Sequence, residues 1–167
     1  MPWLTNINKF KGFTLPGENR QHSVLNGLKV VNPNTKRVII HDAVRPNIKD
    51  QLINECIDNL YDCDGVMPVL PVTDTIYFSK TGSTINELFD RRFLFAGQSP
   101  EAFDFSKYKA VHEGITMEEL ACINGSSEIA FKHGLAIKMI QGDASNYKIT
   151  TMEDLKRFKN EVEYRRL

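Results

Sequence analysis

Residues 38–46 read VIIHDAVRP, a β-branched run that breaks off into a histidine, an aspartate and an arginine. A carboxylate at the mouth of a strand can hold Mg²⁺ and, through it, the phosphates of a nucleotide, because hard cations take oxygen ligands. It can equally cap the turn DAVRP, with His41 packed beneath. Spacing leaves both readings open for Asp42. Arg45, followed by Pro46, offers a planar fork of donors suited to phosphate, or else a salt bridge to Asp42 or to a neighbouring loop.

Three further stretches carry polar residues at places where elements end. LPGENRQHSV (15–24) reads as a strand, a glycine turn at Gly17 and a helix start, with Arg20 and Ser23 within about the first turn. Backbone N–H groups and the positive end of the helix dipole there suit an anion or a base edge, and a plain helix cap is the simpler alternative. PVTDTIY (71–77) and AGQSPEAF (96–103) are polar clusters at strand ends. GDASNYKITT (142–151) carries Lys148 between apolar residues at alternate spacing, as in a short strand; read alone, such a lysine is solvated. The chain contains no GxGxxG, GxxxxGK[ST] or HExxH motif and no nucleophile elbow.

The elements that must position these residues follow from periodicity. Residues 18–31 place Val24, Leu25, Leu28 and Val31 on one helical face, and residues 49–61 do the same with Leu52, Ile53, Cys56, Ile57 and Leu60. Between and after them, 36–41 and 65–70 are short apolar runs that read as strands buried on both faces. Helix, strand, helix, strand predicts a parallel α/β sheet, with ligands outside the carboxyl ends of its strands, where Asp42 falls. Residues 74–100 flank the turn signal SKTGST with Thr, Ile, Tyr and Phe and predict a hairpin arm. A short helix with serine caps over 126–134, a strand over 135–142 and a C-terminal helix capped by Thr151 complete the expectation.

Composition bounds the rest. The 167 residues, 41% hydrophobic and 25% charged, suit one globular domain over 1–167. With 21 basic and 21 acidic residues and no long run of one sign, the electrostatic footprint of a nucleic-acid binder is missing. The longest apolar runs fall well short of the roughly 20 residues that span a bilayer, and the start has no secretory pattern. Cys56, Cys63 and Cys122 are odd in number and lack metal-ligand spacing, which favours free thiols in a reducing compartment. A soluble, cytoplasmic protein is expected.

Taken in order, GENRQHSVLNGL, VIIHDAVRP, PVTDT, GQSPEAF and NYKITTMEDL resemble the 2-C-methyl-D-erythritol 4-phosphate cytidylyltransferases and the related ribitol-5-phosphate cytidylyltransferases. The resemblance runs from about residue 13 onward. It implies a partial Rossmann-like nucleotidyltransferase sheet, mostly parallel, with a protruding β-arm that interlocks two subunits into a homodimer. It further implies that a polyol phosphate attacks the α-phosphorus of CTP and expels pyrophosphate, with methylerythritol phosphate as the first choice of substrate and ribitol phosphate as the alternative.

Carried over by position, Gly17, Arg20 and Ser23 would face the cytosine and ribose, and Asp42 would hold Mg²⁺ beside the triphosphate. Arg45, Thr75, Arg91, Ser99 and Lys148 would sit near the polyol phosphate, with Arg91 and Lys148 placing its oxygen for attack. The family's opening strand and glycine-rich loop, which wraps the triphosphate with an arginine and a lysine, have no counterpart in this sequence. Pro16 stands for a glycine, Ser99 for a threonine, and CINGSSE (122–128) for an acidic stretch. These departures predict turnover below family rates for this chain, and a non-catalytic dimerising or binding module on the same fold is the reading from another class.

Overall fold

The computed structural model of the protein describes residues 9–164. Helix α1 (Arg20–Val30) starts where Asn19 turns its side chain back to accept from the His22 N–H at 2.9 Å, and it buries Leu25 and Leu28. Strand β1 (Arg37–Ile40) follows, then α2 (Asp50–Asp58), which buries Leu52 and Cys56 four residues apart and tightens into a 3-10 turn over Asn59–Tyr61. Strand β2 (Gly65–Pro71) is the most buried of the early strands. A short hairpin of β3 (Ile76–Phe78) and β4 (Glu87–Phe89) stands apart as its own two-stranded sheet. The chain returns through β5 (Phe95–Gly97) and β6 (Glu101–Asp104) to α3 (Phe105–Gly114), α4 (Met117–Ala121), α5 (Ser126–Lys132), β7 (Ile137–Gln141) and α6 (Met152–Tyr164).

The sheet is α/β in architecture but not mostly parallel. β2 pairs with β7 in parallel, Gly65 opposite Ile137 through Val69 opposite Gln141. Its other edge carries β6 and then β5, both antiparallel, and β6 in turn pairs antiparallel with β1. The helix-linked strands β1, β2 and β7 do run the same way. The expected parallel contact between β1 and β2 is broken because β6 inserts between them in the opposite direction. The pattern of residues 101–104 suggests a polar strand end, but with Phe103 and Ala102 buried they form a central strand instead.

Alternation along β6 divides the core. Phe103 packs into one cluster with Leu25, Leu28, Phe105, Tyr108, Leu120 and Ile129. Its neighbour Ala102 points the other way, into a smaller cluster with Cys56, Leu60 and Val66. Helices therefore cover both faces. The Phe103 and Tyr108 rings stack with centroids 3.9 Å apart, worth about 0.5–1.5 kcal/mol beyond their area burial.

Several local expectations are revised. β1 is half-buried rather than enclosed on both faces, since only β6 pairs with it among the described residues. The hairpin spans 76–89, shorter than the arm expected over 74–100, because 95–97 joins the main sheet through Val69, Leu70 and Pro71. No strand precedes α1 in residues 10–17, and Lys148 lies in a loop. Gly125, not a serine, occupies the cap position of α5, while Ser126 and Ser127 are buried in its first turn. The helix does close on a glycine, Gly134, at φ +81°. At the C-terminal helix, Thr151 and Asp154 cap each other as the sequence implied.

Candidate active site

The end of β1, the start of α1, the β5–β6 bend and the loop after β7 converge on a cavity of about 200 Å³. Its polar lining includes Arg20, Asp42, Arg45, Ser99, Glu101 and Lys148. Five of the residues singled out in the sequence are thus brought together, from positions up to 128 residues apart (148 − 20).

Asp42 is the hub. Its Oδ1 accepts from Arg20 Nη2 at 3.0 Å and Nε at 3.3 Å. Its Oδ2 faces Arg45 Nε at 3.7 Å and Lys148 Nζ at 3.6 Å, beyond hydrogen-bond range. The side chain does not cap the DAVRP turn; the turn is closed by Arg45 N–H donating to the Asp42 carbonyl at 2.9 Å. Burial alone would raise the Asp42 carboxyl, but Arg20, Lys148 and Arg45 outweigh it and hold the pKa below the ordinary value. His41 is exposed, not packed beneath: Arg45 O lies 3.1 Å from its Nε2 and Ser99 Oγ 3.4 Å from its Nδ1.

The supports of this cluster come from loops tied to each other by backbone. Ile149 N–H donates to Val44 O at 2.8 Å, Asn146 Nδ2 to Ser99 O at 2.7 Å, and Arg45 Nη1 to Asn146 O at 2.7 Å. Lys49 clamps Asp143 at 2.7 Å and, with Ser145, drives that carboxyl down to about 2. Gly142 can sit where it does only without a side chain, since a Cβ would lie 2.5 Å from Gln98 Oε1 and 3.0 Å from Val69 O. These contacts hold Lys148 over Asp42 although its own segment is not a strand. Ser99 Oγ accepts the Asp42 N–H at 3.0 Å and so fixes the backbone from which the hub projects.

The remaining expected residues fall elsewhere. Ser23 Oγ accepts from Gly17 N–H at 2.9 Å and donates to Asn19 O at 3.0 Å, so it orders the entry to α1. Gly17 packs so closely that a Cβ would approach the His22 backbone at 2.5 Å. Thr75 and Arg91 lie together in a separate depression at the base of the hairpin, with Leu88, Phe89 and Asp90. Arg91 donates to Thr73 O there, and neither residue lines the Asp42 cavity.

Two further residues that contact Arg20 are not evident from the sequence. Glu101 is 6% exposed, lies 3.9 Å from Arg20 Nη2, and takes two short bonds from Ser127, from its N–H at 2.7 Å and its Oγ at 2.6 Å. Ser126 Oγ accepts from Arg20 Nη1 at 2.9 Å. A charged residue inside an apolar strand is the available signal for Glu101, masked because 101–104 does not read as a strand. Arg45 Nε is buried with no hydrogen-bond partner among the described residues, so the site holds a donor in want of an acceptor.

As a metal site, the described residues offer no group of three or more His, Cys, Asp or Glu side chains. Asp42 Oδ2 takes no hydrogen bond among the described residues and is the carboxylate oxygen of the hub left for a cation. That donor set suits Mg²⁺ arriving with a nucleotide, since Mg²⁺ is commonly held by one or two carboxylates, waters and substrate phosphates.

The sequence model of the 2-C-methyl-D-erythritol 4-phosphate cytidylyltransferase family matches residues 12–163. Among curated relatives, the chain is 35% identical over 159 residues to the 2-C-methyl-D-erythritol 4-phosphate cytidylyltransferase of Neorickettsia sennetsu, covering 93% of this chain and 68% of that protein. To the enzyme of the same name from a Synechocystis strain it is 34% identical over 139 residues, covering 83% and 60%. Against the bifunctional IspD/IspF enzyme of Allorhizobium ampelinum, at 36% identity, it covers 35% of that protein. The chain thus spans about a third to two thirds of the curated relatives it matches. Among solved structures, 4-diphosphocytidyl-2C-methyl-D-erythritol synthase from Anaerococcus prevotii superimposes with a TM-score of 0.79 at 25% identity, covering 94% of this chain and 74% of that one.

Proposed function

The chain belongs to the 2-C-methyl-D-erythritol 4-phosphate cytidylyltransferase family, and on that premise we propose that it works in transfer of CMP from CTP to a polyol phosphate, methylerythritol 4-phosphate in the first instance. One observation carries the reading: three cations, Arg20, Arg45 and Lys148, converge on the single carboxylate of Asp42 at the end of a strand. Even with Glu101 counted, three positive charges face two negative ones (3 − 2 = +1), and buried Arg45 Nε has no hydrogen-bond partner among the described residues. Such a site attracts phosphate oxygens.

In this reading Lys148 Nζ and Arg45 Nε turn from Asp42 to the phosphate oxygens and hold the two substrates in line, so that an oxygen of the polyol phosphate meets the α-phosphorus of CTP. Pyrophosphate leaves. Catalysis is by positioning and charge neutralisation, with no covalent step on the protein. A divalent cation on Asp42 Oδ2, completed by water and phosphate, would neutralise triphosphate charge. Ser99 keeps Asp42 aimed, and the Gly17 to Ser23 turn presents the entry to α1 to the nucleoside.

Thr75 and Arg91 join this chemistry through a homodimer in which the hairpin of one protomer reaches the cavity of its partner. The hairpin's apolar exposure supports that assembly: Tyr77, Ile85 and Leu88 are each more than half exposed. The test is calorimetric titration of the chain with CTP and with methylerythritol 4-phosphate in the presence of Mg²⁺, alongside pyrophosphate release. Binding of both ligands, weakened at least tenfold by Lys148→Ala, is expected on the worth of a charged hydrogen bond. Absence of binding, or a Lys148→Ala protein that binds like the wild type, would sink the proposal.

A further inference from the structure

Glu101, opposite Ile40 at the start of β6, places a carboxylate in the cavity wall, 6% exposed, one step behind Arg20. Three features define its geometry. Its Oε2 is anchored by the N–H and hydroxyl of Ser127, so the group cannot swing away. Its Oε1 faces Arg20 Nη2 at 3.9 Å, an ion pair without a hydrogen bond. Arg20 is meanwhile hinged: Nη1 is held by Ser126 Oγ at 2.9 Å, while Nη2 and Nε rest on Asp42 Oδ1.

We propose that Glu101 is a positioning residue that receives Arg20 from Asp42 when Asp42 takes up its divalent cation. This rests on the reading above that Asp42 is the cation's ligand. A guanidinium hydrogen-bonded to Asp42 competes with a metal ion for the same carboxylate, and two cations cannot share it closely without cost. Releasing Arg20 into a half-buried wall with no counter-charge carries a desolvation cost that opposes uptake of the cation. Glu101 supplies one at a short distance. With Ser126 as the pivot, Nη2 has to travel only about 1 Å to bring the 3.9 Å separation to hydrogen-bond length. Ser126 and Ser127 are adjacent in the first turn of α5, so pivot and anchor sit side by side.

The handover has a ligand-free test and a ligand-dependent one. Removing the Asp42 charge by Asp42→Asn, with no CTP or metal present, leaves Glu101 as the nearer carboxylate for Arg20. A crystal structure of that full-chain variant is expected to show Arg20 Nη2 within about 2.7–3.2 Å of Glu101 Oε1; an Arg20 that stays beside the substituted amide or turns to solvent overturns the proposal. If that variant does not crystallise, the Nε–Hε resonance of Arg20 in the wild-type chain reads the same movement as the further shift that Mg²⁺ adds to the shift given by CTP alone; that Mg²⁺-dependent step should be absent in Glu101→Gln, and an equal step in both proteins overturns the proposal.

Calorimetry then separates positioning from scaffolding. Glu101→Gln retains an acceptor for Ser127 but not the charge, so CTP alone should bind as well as or better than to wild type, while the gain in CTP affinity on adding Mg²⁺ shrinks roughly tenfold. A merely structural Glu101 would weaken both titrations together. If wild type binds no CTP, the functional reading fails by itself, and the Asp42→Asn structure still decides whether Glu101 receives Arg20 once the Asp42 charge is gone.

Discussion

Replacing Asp42 by asparagine removes one negative charge from among three cations and changes almost nothing in volume. Its side chain is 16% exposed, that of Arg45 11%, Arg20 34% and Lys148 45%. Breaking a fully buried pair by deleting one partner costs about 3–5 kcal/mol, while an exposed pair is worth about 0–1. Arg45 stands near the first limit and Lys148 near the second, and Arg20 keeps Glu101 as an alternative partner. A net loss of about 2 kcal/mol follows, which for a chain of this size lowers Tm by about 4–8 °C.

The pH dependence fixes the sign independently. The Asp42 carboxyl lies below its ordinary value of 3.8 in the folded state, so its contribution is fully present above that pH. It is lost as pH falls from about 3.8 through the lower folded value. Wild type and variant should therefore differ in Tm at neutral pH and converge in strong acid. Scanning calorimetry at several pH values, with and without pyrophosphate as a replacement anion, measures this; pyrophosphate should restore more stability to the variant than to wild type. A variant as stable as wild type at neutral pH, or a gap that widens in acid, would refute the view that Asp42 neutralises this cluster.

Gly17→Ala should cost about 1–3 kcal/mol, since a Cβ 2.5 Å from the His22 backbone forces the first turn of α1 to move; an unchanged urea midpoint would contradict this. Burial holds His112 below its ordinary value of 6.5, against the opposing bond from Nδ1 to Tyr108 O. Its stabilisation is thus complete above that pH and lost as pH falls below it, so His112→Leu should flatten the Tm profile between about pH 7 and pH 5, and a profile of unchanged slope would count against the assignment. On the hairpin, Leu88→Glu should turn a sedimenting dimer into a monomer with little change in Tm, because Leu88 is 61% exposed in the protomer. A wild type that sediments as a monomer at micromolar concentration would remove the premise.

How much is legible beforehand depends on how local the signal is. The period of Leu25 and Leu28, the run at Val66 and Val69, the Gly134 stop and the Thr151 cap each need only a few neighbouring residues, and each is readable. So are the order of the motifs and the family they resemble. Strand direction is not, because a parallel sheet and a sheet with an inserted antiparallel strand share the same alternation of helices and strands. Only the closing of β6 between β1 and β2 decides it.

The site divides along the same line. Residue types and spacing single out Arg20, Asp42 and Arg45 and the type of ligand that such groups attract, while Ser99 and Lys148 join them only through the family resemblance. It could not say that the cations would share one carboxylate, nor that Thr75 and Arg91 would lie apart from them. Nor could it show Glu101 behind Arg20, since a charge is made functional by what buries and faces it, and those partners, Arg20 and Ser127, are distant in the chain. Residue type and local spacing belong to the sequence; long-range proximity, desolvation and the pairing of charges arise only when the sheet brings its strand ends together.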